Sequence, residues 1–421
     1  MDETDQPLLN EENEQEYSLW SSKTFDDDAW PTATSETQQE TETNVLRLLE
    51  STLQDTVLSQ ATLNRADHVK YLLGGLGSLT HHFTSLDASK PWFMYWILHG
   101  LDLMNVRLQA SDLDRVLSTL KRYQHPDGGF GGGYLHMPHL APTYAAINTI
   151  AILASEAAYQ IVDRPKLYAF LMKMKQPDGS FVMHEGGEVD VRGSYCALSA
   201  ARMMNILTPE LAQGCGEFVA RCQSYEGGIG AVPGVEAHGG YTFCSLAASC
   251  ILGTMHLLDL KGLTRWAVCR QMHMEGGFQG RTNKLVDSCY AFWQSGSFPI
   301  LESYWARQNE ARVVSLFGRD AMQKWVIVFG QGAKGGLRDK PGKNPDYYHS
   351  CYALSGLSIS QHLYRFSSDT PGGFDICNDR GDVQPVFGVP NNRLLPTHPI
   401  HNVRFDKAVA IIKYFEGLPN I

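Results

Sequence analysis

The sequence has no run of 18 apolar residues, so it predicts no transmembrane helix. Its N-terminus lacks the basic and then apolar pattern of a secretory signal peptide. The nine cysteines follow no regular spacing, which fits a reducing compartment better than a disulfide framework. Several of them lie among small residues, as Cys196 and Cys351 do, and are expected in the core. These absences predict a cytoplasmic protein.

Basic residues are scarce near the N-terminus, and the net charge of −10 is unevenly distributed. Residues 1–45 carry thirteen Asp or Glu and one Lys, a net of −12, and the difference leaves +2 for residues 46–421. The polar, acidic composition of residues 1–45 predicts a disordered tail. The remainder has no basic stripe and no zinc-finger spacing, so nucleic-acid binding is not expected.

A glycine-containing turn recurs five times along the chain. Its copies are QHPDGGF, QPDGSF, QSYEGGI, QMHMEGGF and QGAKGGL, and their last residues are 51, 48, 49 and 59 positions apart. A second motif follows each turn, as TYAAI, SYCAL, TFCSL, SCYAF and SCYAL. Apolar residues between the turns have helical spacing, for example Leu113, Val116, Leu117 and Leu120. The two coincident motifs therefore predict about five repeats between residues 110 and 360.

Each repeat predicts one small-residue helix and one amphipathic helix. Five or six such pairs predict an all-α fold, a closed α/α toroid (alpha-alpha barrel) with the small-residue helices inside and the amphipathic helices outside. This toroid would form a single domain over residues 46–421, with a surface loop near residues 365–382. An open helical solenoid is the alternative, but a solenoid needs capping repeats and a closed ring does not.

Charged and imidazole side chains collect after the glycine turns, where the inner helices are expected to begin. Free N–H groups at helix N-termini favour anions. Asp287 and His349 each directly precede a serine of the second motif, which predicts that they occupy equivalent positions, and Cys289 follows closely. A carboxylate, a thiolate and an imidazole make a three-ligand zinc set with one position open. Positions i and i+2 of a regular helix do not face each other, so this set requires an irregular first turn. The alternative is a capping Asp and a buried Cys.

Cations and aromatic residues accompany this candidate site. Arg281, Lys284, Tyr290 and, one repeat earlier, His238 offer donors for a diphosphate, although they are equally compatible with a solvated rim of surface charges. The aromatic residues of the inner segments either form core or line a long apolar pocket beside that rim. Such a pocket would fit a ligand with an apolar chain and an anionic head.

Several long segments carry a family resemblance: PHLAPTYAAIN (138–148), GGEVDVR (186–192), EAHGGYTFC (236–244), EGGFQGRTNKLVDSCY (275–290) and DYYHSCYALSGLS (346–358). They closely resemble the protein prenyltransferase beta subunits, and those of the farnesyltransferases most. The resemblance covers roughly residues 65 to 415 and is absent from the acidic tail and from residues 365–382. It implies transfer of farnesyl from farnesyl diphosphate to the cysteine of a C-terminal CaaX sequence, as in small GTPases. It also implies an alpha subunit as obligate partner.

The resemblance assigns roles residue by residue. The zinc ligands are matched by Asp287, Cys289 and His349. The acidic residue that helps to hold Mg²⁺ against the diphosphate is matched by Asp339, and the diphosphate-binding residues are matched by His238, Arg281, Lys284, Tyr290 and Lys340. The pocket for the isoprenoid or the substrate tail is matched by Trp92, Trp96, Arg192, Tyr195, Tyr241, Cys244, Trp293 and Tyr352. The group that binds the peptide C-terminus through water is matched by His139, Glu188 and Arg192.

The resemblance further implies that Zn²⁺ binds the substrate cysteine as a thiolate at its open position. Trp92 and Tyr352 match bulky positions that shorten the pocket to a farnesyl chain, and Asp339 stands where the type I geranylgeranyl enzymes have a lysine. A geranylgeranyltransferase type I beta subunit is the alternative. A terpene cyclase is less favoured because the sequence has no DxDD motif, and a non-catalytic toroid scaffold would leave the converging charges without a role.

Overall fold

The protein is a ring of paired helices. The computed structural model describes residues 30–55, 57–309, 315–377, 384–419 and 421. Within these residues the inner helices are Lys90–Leu103, Leu140–Leu153, Val191–Met203, Gly239–Leu252, Tyr290–Trp293 and Tyr347–Gln361. The outer helices are Arg65–Gly75, Ala110–Tyr123, Arg164–Met174, Cys215–Arg221, Leu260–Val268 and Arg319–Lys324, the last continued by the π-helix Trp325–Phe329.

Other elements connect and flank the pairs. In the described part of the chain the remaining α-helices are Ala33–Asp55, Glu156–Tyr159, Pro209–Ala212, Ser297–Asn309 and Phe405–Glu416. The 3₁₀ segments there are Leu58–Gln60, His81–Ser89, Met255–Leu257 and Pro390–Asn392. Among the described residues, no helix is both long and apolar enough to cross a bilayer.

The ring closes on itself. Each inner helix packs against the next one along the chain, and the last, Tyr347–Gln361, packs against the first, Lys90–Leu103. The inner helices are buried on nearly all sides, whereas the outer helix Ala110–Tyr123 buries only Val116 and Leu120. A helix that is buried all round must be apolar or small all round, which the second repeat motif provides. The closed α/α toroid is therefore confirmed, and the open solenoid is wrong.

The glycine turns have one shared geometry. The glutamine or lysine at the start of each turn pairs with the apolar residue at its end, as in Gln124 with Phe130 and Gln331 with Leu337. The five closing residues are all at most 1% exposed: Phe130, Phe181, Ile229, Phe278 and Leu337. Each turn therefore anchors the chain in the core just before it enters an inner helix.

The acidic segment is ordered further than its composition predicts. The disordered tail expected over residues 1–45 is wrong for residues 33–45, which begin the helix Ala33–Asp55, while residues 1–29 lie outside the described part. Thr32 and Ser35 start this helix with reciprocal backbone-to-hydroxyl hydrogen bonds. The helix is held to the ring because Val45 is fully buried and Gln38 donates to Glu275 at 2.8 Å. The composition of residues 1–45 is dominated by charged residues, so it did not indicate the short apolar face that packs against the ring.

The surface loop expected near residues 365–382 is partly a β-hairpin. Strand β1, Tyr364–Phe366, pairs antiparallel with strand β2, Phe374–Ile376, and residues 378–383 lie outside the described part. Phe374 is fully buried, which ties the hairpin to the body of the protein. Strands of three residues are too short to give an alternating pattern, so the sequence did not reveal them.

A C-terminal segment crosses the interior of the ring. The backbone carbonyls of Ile400 and Asn402 each accept a hydrogen bond at 2.6 Å, from Tyr195 and Tyr95 respectively. The carbonyl of His401 accepts one from Tyr144 at 3.3 Å. Because these tyrosines come from three inner helices, the segment closes off the space between those helices on the side that the hydroxyl groups face.

Candidate metal centre and apolar cavity

The N-terminal ends of the inner helices present a set of equivalent capping residues. Nine residues after each closing turn residue stand His139, Asp190, His238, Asp287 and Asp346. The side chain of each accepts a hydrogen bond from the backbone N–H of a residue two or three positions later in the chain. For example, His238 Nδ1 accepts from the Gly240 N–H at 3.0 Å. Side chains from separate repeats therefore gather at one mouth of the ring, as the sequence predicted.

The equivalence predicted for Asp287 and His349 is wrong. The amide of Asp287 donates to the carbonyl of Phe278, and that of Asp346 donates to the carbonyl of Leu337, so these two aspartates are the equivalent residues. The fourth copy of the second motif, SCYAF, begins ten residues after the last residue of its turn. The fifth copy, SCYAL, begins thirteen residues after the last residue of its turn. His349 consequently lies within the first turn of its helix, three residues beyond the capping Asp346.

Asp287, Cys289 and His349 nevertheless form one cluster. Their ligand atoms all lie within 4.8 Å of one another, and Asp287 Oδ1 is 3.2 Å from His349 Nε2. The helix that follows begins only at Tyr290, so Asp287 and Cys289 belong to an irregular turn in which the Cys289 N–H donates to Asp287 Oδ1 at 2.7 Å. The predicted irregular first turn is confirmed. An oxygen, a sulfur and a nitrogen donor at this spacing fit a zinc ion.

Neighbouring groups hold the cluster in place. Asp346 Oδ2 lies 2.6 Å from His349 Nδ1, which leaves Nε2 to face Asp287. The N–H and the hydroxyl of Ser288 both donate to the carbonyl of Asp339, and Trp325 Nε1 donates to the same hydroxyl at 3.1 Å. Asp346 was not singled out in the sequence, although an Asp three residues before a helical polar residue is a capping signal.

The protonation of the cluster is set by burial and by its carboxylates. Burial alone would lower the pKa of His349, but hydrogen bonds and charge from Asp287 and Asp346 raise it to about 10. Burial, and then the nearby Asp287, raise the pKa of the Cys289 thiol well above its usual value. Metal ligands must be deprotonated, so binding of a divalent ion would release protons from this imidazole and this thiol.

The proposed diphosphate residues come from different repeats, and most of them already have a polar partner. Tyr290 and His238 are hydrogen bonded, with 2.9 Å between the phenol oxygen and Nε2. Arg281 pairs with Glu236 at 3.0 Å, and the Lys284 side chain is exposed on the same turn. Lys340 Nζ lies 2.5 Å from Asp339.

Among the proposed diphosphate-binding residues, the positive charge is carried by Arg281, Lys284 and Lys340. Burial, and then the charge of Arg281, lower the pKa of His238 to about 4, so this imidazole is neutral near neutral pH. Burial, and then the nearby Cys289, raise the pKa of the Tyr290 phenol, which therefore stays a donor. Burial, and then Asp287, raise the pKa of Asp339, while Lys340 opposes that rise. The mouth thus offers neutral donors inside and cations at the rim.

An apolar cavity of about 360 Å³ opens beside this group. All eight residues predicted to line a pocket line it: Trp92, Trp96, Arg192, Tyr195, Tyr241, Cys244, Trp293 and Tyr352. His238 and Tyr290 line it as well, so the cavity and the polar mouth share two residues. Trp92 stacks on Trp96 with ring centroids 5.6 Å apart. The aromatic residues therefore do more than fill a core.

Several cavity residues were missed in the sequence, among them Tyr144, Met183, Cys196 and Tyr348. Tyr144 occupies in TYAAI the place that Tyr195 occupies in SYCAL, so the repeat alignment was sufficient to find it. Tyr348 accepts a hydrogen bond from Trp293 Nε1 at 3.1 Å and directly precedes His349. It thereby joins the aromatic wall to the metal cluster.

Arg192 lines the same cavity, and Glu188 and His139 lie near it. Arg192 forms a two-point ion pair with Asp190, at 2.6 Å for the closer pair, and its Nη2 is 3.9 Å from Glu188. Burial, and then the neighbouring His184, lower the pKa of His139 to about 4. Arg192 is thus held by one carboxylate and retains exposed surface for another anion.

Comparisons with known proteins agree with this geometry. The prenyltransferase alpha-alpha toroid domain family matches residues 63–403. The chain is 39% identical to the protein farnesyltransferase subunit beta of Pisum sativum over 78% of this chain and 90% of that protein. It is 36% identical to the protein of the same name from Arabidopsis thaliana, over 84% and 83% respectively.

A solved structure extends the comparison to the fold. The protein geranylgeranyltransferase-I of Candida albicans, complexed with GGPP, superposes with a TM-score of 0.68 and 22% identity, covering 85% of this chain and all of that one. At that identity the likeness concerns the toroid alone. The family match and the curated relatives, each over most of the chain, lead to one conclusion: the chain belongs to the family of protein farnesyltransferase beta subunits.

Proposed function

We propose that this chain is the catalytic beta subunit of a zinc-dependent protein farnesyltransferase that modifies the cysteine of C-terminal CaaX sequences. The observation that carries the proposal is the contact between the metal cluster and the apolar cavity. Tyr290 and Tyr348 line the cavity, and they directly follow Cys289 and directly precede His349 in the chain. A thiol held at the cluster would therefore meet an apolar chain held in the cavity.

Asp287, Cys289 and His349 would hold the Zn²⁺. The mixed donor set favours this ion over Mg²⁺ or Ca²⁺. When bound, zinc lowers the pKa of a coordinated thiol, so the substrate cysteine would react as a thiolate near neutral pH. Asp346 keeps His349 Nε2 turned toward the cluster, and no general base is needed in this scheme.

The rim of the cavity would bind the diphosphate and stabilise it as it leaves. The substrate sulfur forms a bond to the first carbon of farnesyl diphosphate while the carbon–oxygen bond to diphosphate breaks. His238 and Tyr290 offer neutral donors to the leaving oxygens, and Arg281, Lys284 and Lys340 offer positive charge. Groups fixed in advance around developing charge stabilise a transition state. Asp339 would help to hold Mg²⁺ on the diphosphate.

The cavity would select the isoprenoid and the peptide. Trp92 and Tyr352 both line the cavity and would limit the length of chain that it accepts, and Trp293 packs on Tyr352 with ring centroids 4.5 Å apart. Arg192, with His139 and Glu188 beside it, would bind the peptide C-terminus through water. A farnesyl donor is therefore preferred over a geranylgeranyl donor.

The proposal includes a partner and a location. We expect an alpha subunit to complete the diphosphate site as obligate partner, CaaX proteins such as small GTPases to be substrates, and the heterodimer to be cytoplasmic. The chain alone is expected to be inactive. Transfer activity from the purified chain without a partner would contradict this part.

A competition experiment tests the donor and the metal together. The chain is co-expressed with a farnesyltransferase alpha subunit and given a CaaX peptide with equal farnesyl and geranylgeranyl diphosphates, and the products are weighed by mass spectrometry. We expect the farnesyl thioether, lost in Cys289→Ala and retained in Cys351→Ala, because Cys351 is buried outside the cluster. In Asp339→Ala the product is expected to fall at limiting Mg²⁺.

Other outcomes have distinct meanings. Mainly geranylgeranyl product would retain the metal site but overturn the assignment of Trp92 and Tyr352. Equal loss in both cysteine variants would indicate a packing defect rather than a missing ligand. No product from the wild-type heterodimer would favour a binding scaffold.

A further inference from the structure

A second cavity lies on the other side of the C-terminal segment that crosses the ring. It has a volume of about 500 Å³ and is bordered by Ile400 and His401. The carbonyls of the same two residues accept hydrogen bonds from Tyr195 and Tyr144, which line the first cavity. One stretch of backbone therefore lies between two cavities, and we call the second one the lower cavity.

The lower cavity is cationic. The guanidinium groups of Arg202 and Arg307 border it, and no carboxylate does among the described residues. One carboxylate is close by, because Arg202 forms an ion pair of 3.0 Å with the partly exposed Glu416. Two guanidinium groups in a partly enclosed space favour an anion, and guanidinium pairs well with phosphate or carboxylate.

Hydroxyl groups and aromatic rings complete the wall. Ser367 and Ser368 contribute hydroxyls from the turn after strand β1. Phe366 and Phe374, from the two strands of the hairpin, contribute apolar surface, and the guanidinium of Arg307 lies 4.8 Å from the centre of the Phe366 ring. A polar rim above an apolar wall fits a ligand with a charged head and a compact apolar body.

His401 forms a buried part of the wall. Its side chain is 1% exposed, and its Nδ1 is engaged by the Ser199 hydroxyl at 2.8 Å. Its Nε2 is buried and has no hydrogen-bonding partner among the described residues, although it belongs to a residue that borders the cavity. This nitrogen is not accessible from the cavity, so His401 contributes wall surface rather than a hydrogen bond to a ligand.

We propose that the lower cavity is a second binding site, for a small organic anion with a phosphate or carboxylate head and an apolar ring or chain. The head would lie between Arg202 and Arg307, with the Ser367 hydroxyl as a further donor. The apolar body would pack on Phe366 and Phe374. This site is separate from the proposed farnesyl site and does not depend on that function.

Calorimetric titration of the purified full-length heterodimer with phenyl phosphate tests the site. Phenyl phosphate could also enter the upper mouth, so the titration is repeated with Arg281→Ala/Lys284→Ala, in which two exposed cations of that mouth are removed. We expect binding to persist in this variant and to weaken by at least about tenfold in Arg307→Met. The matched control is Arg265→Met, because Arg265 is exposed on an outer helix and does not border the cavity.

Two further ligands test the chemistry of the head. Benzoate distinguishes a carboxylate from a phosphate, since whichever of the two anions binds more tightly identifies the preferred head. Phenol has the same ring without the charge and is expected not to bind. The proposal is overturned if phenol binds as tightly as phenyl phosphate. It is also overturned if Arg307→Met and Arg265→Met have the same affinity, or if binding disappears in the Arg281→Ala/Lys284→Ala variant.

Discussion

Two carboxylates act on His349 from opposite edges of its ring. Asp346 Oδ2 is 2.6 Å from Nδ1, and Asp287 Oδ1 is 3.2 Å from Nε2. The Asp346 side chain also caps the helix that carries His349, through a hydrogen bond of 2.7 Å from the His349 N–H. One side chain therefore sets both where the imidazole lies and which nitrogen it presents.

Removal of this support is expected to weaken metal binding. Partners in the outer shell of a metal site are typically worth about 10- to 100-fold in affinity, so Asp346→Ala should raise the zinc dissociation constant by roughly that factor. A titration against a chromophoric chelator measures it. Asp346→Asn keeps a capping oxygen and should retain more affinity than Asp346→Ala.

Asp259 provides the matched control, because it caps the outer helix Leu260–Val268 by accepting from Gly262 at 3.0 Å. Asp259→Ala should cost about 1 kcal/mol of stability, as loss of a cap does, without a change in zinc affinity. Equal zinc affinity in Asp346→Ala and Asp259→Ala would mean that Asp346 acts only as a cap.

The sequence was informative about residue types but not about register. The residue types and the repeat alignment left two alternatives for Asp287, Cys289 and His349, a zinc set or a capping Asp with a buried Cys, and the family resemblance favoured the zinc set; the structure brings their ligand atoms together. Their alignment was wrong because matching letters in SCYAF and SCYAL obscured a shift of three residues relative to the turn. Tyr348 could not be assigned, since its role depends on the direction of its side chain within the helix.

At the level of elements, the short helix Tyr290–Trp293 is packed closely by a neighbour. A Cβ at Gly356 would lie 2.2 Å from the backbone carbon and oxygen of Ala291. Gly356 is therefore required by the short distance between the helix Tyr290–Trp293, which follows Cys289, and the helix that carries His349. No single-residue pattern in the sequence indicates such a contact, because it depends on which helices become neighbours.

Because of this contact, replacement by alanine is expected to lower the free energy of unfolding at Gly356 and to raise it at Gly74. Gly356→Ala should destabilise the protein by at least about 1–3 kcal/mol, because backbone atoms must move to relieve the overlap. In Gly74→Ala the new methyl would have no neighbour within 4 Å. That helix should gain up to about 1 kcal/mol from the higher helix propensity of alanine. Urea unfolding midpoints compare the two, and destabilisation of the same size in both would refute the close approach.

The helix Ala33–Asp55 is expected to depend on one buried amide. Gln38 Nε2 donates to Glu275 at 2.8 Å, and Glu275 is only 1% exposed. Gln38→Ala would leave a buried carboxylate without this donor, at a cost of about 1–3 kcal/mol. Amide hydrogen exchange of residues 33–55 should increase, whereas Gln39→Ala, an exposed neighbour, should leave it unchanged. Similar exchange in both variants would mean that apolar contacts alone attach the helix.

At the scale of the whole molecule, the repeats predicted a ring, but two of its parts have no repeat signal. The first pair of the ring, Arg65–Gly75 and Lys90–Leu103, is joined by a 3₁₀ segment, His81–Ser89, instead of a glycine turn. The C-terminal segment inside the ring has no helical period, and its place depends on hydrogen bonds to tyrosines far away in sequence. Sequence periodicity can predict only the repeated units, and neither the 3₁₀ connection nor the C-terminal segment is part of a repeat.

Two buried histidines, one in this segment and one in the first inner helix, are expected to make the molecule sensitive to acid. His99 and His398 are fully buried, and burial lowers the pKa of each to about 3. His99 contacts Ser355 and Asn402, both uncharged, and the charge of Lys407 lowers its pKa further. In the unfolded chain both imidazoles titrate near about 6.5. The folded protein must therefore keep two neutral histidines that the unfolded chain would protonate.

The sign of the pH dependence follows from proton counting. Between about pH 6.5 and about pH 3 the unfolded state binds more protons at these sites, so the free energy of unfolding falls as the pH is lowered through that window. Each histidine should contribute a slope of up to about 1.4 kcal/mol per pH unit. Urea midpoints measured from about pH 7 to about pH 5 should show the fall, and His99→Gln should reduce its slope by the equivalent of about one proton. His273→Gln, an exposed histidine, should leave the slope unchanged. If His99→Gln and His273→Gln both retain the wild-type slope, His99 is not a source of the acid sensitivity, because its imidazole then binds the same number of protons in the folded and the unfolded state.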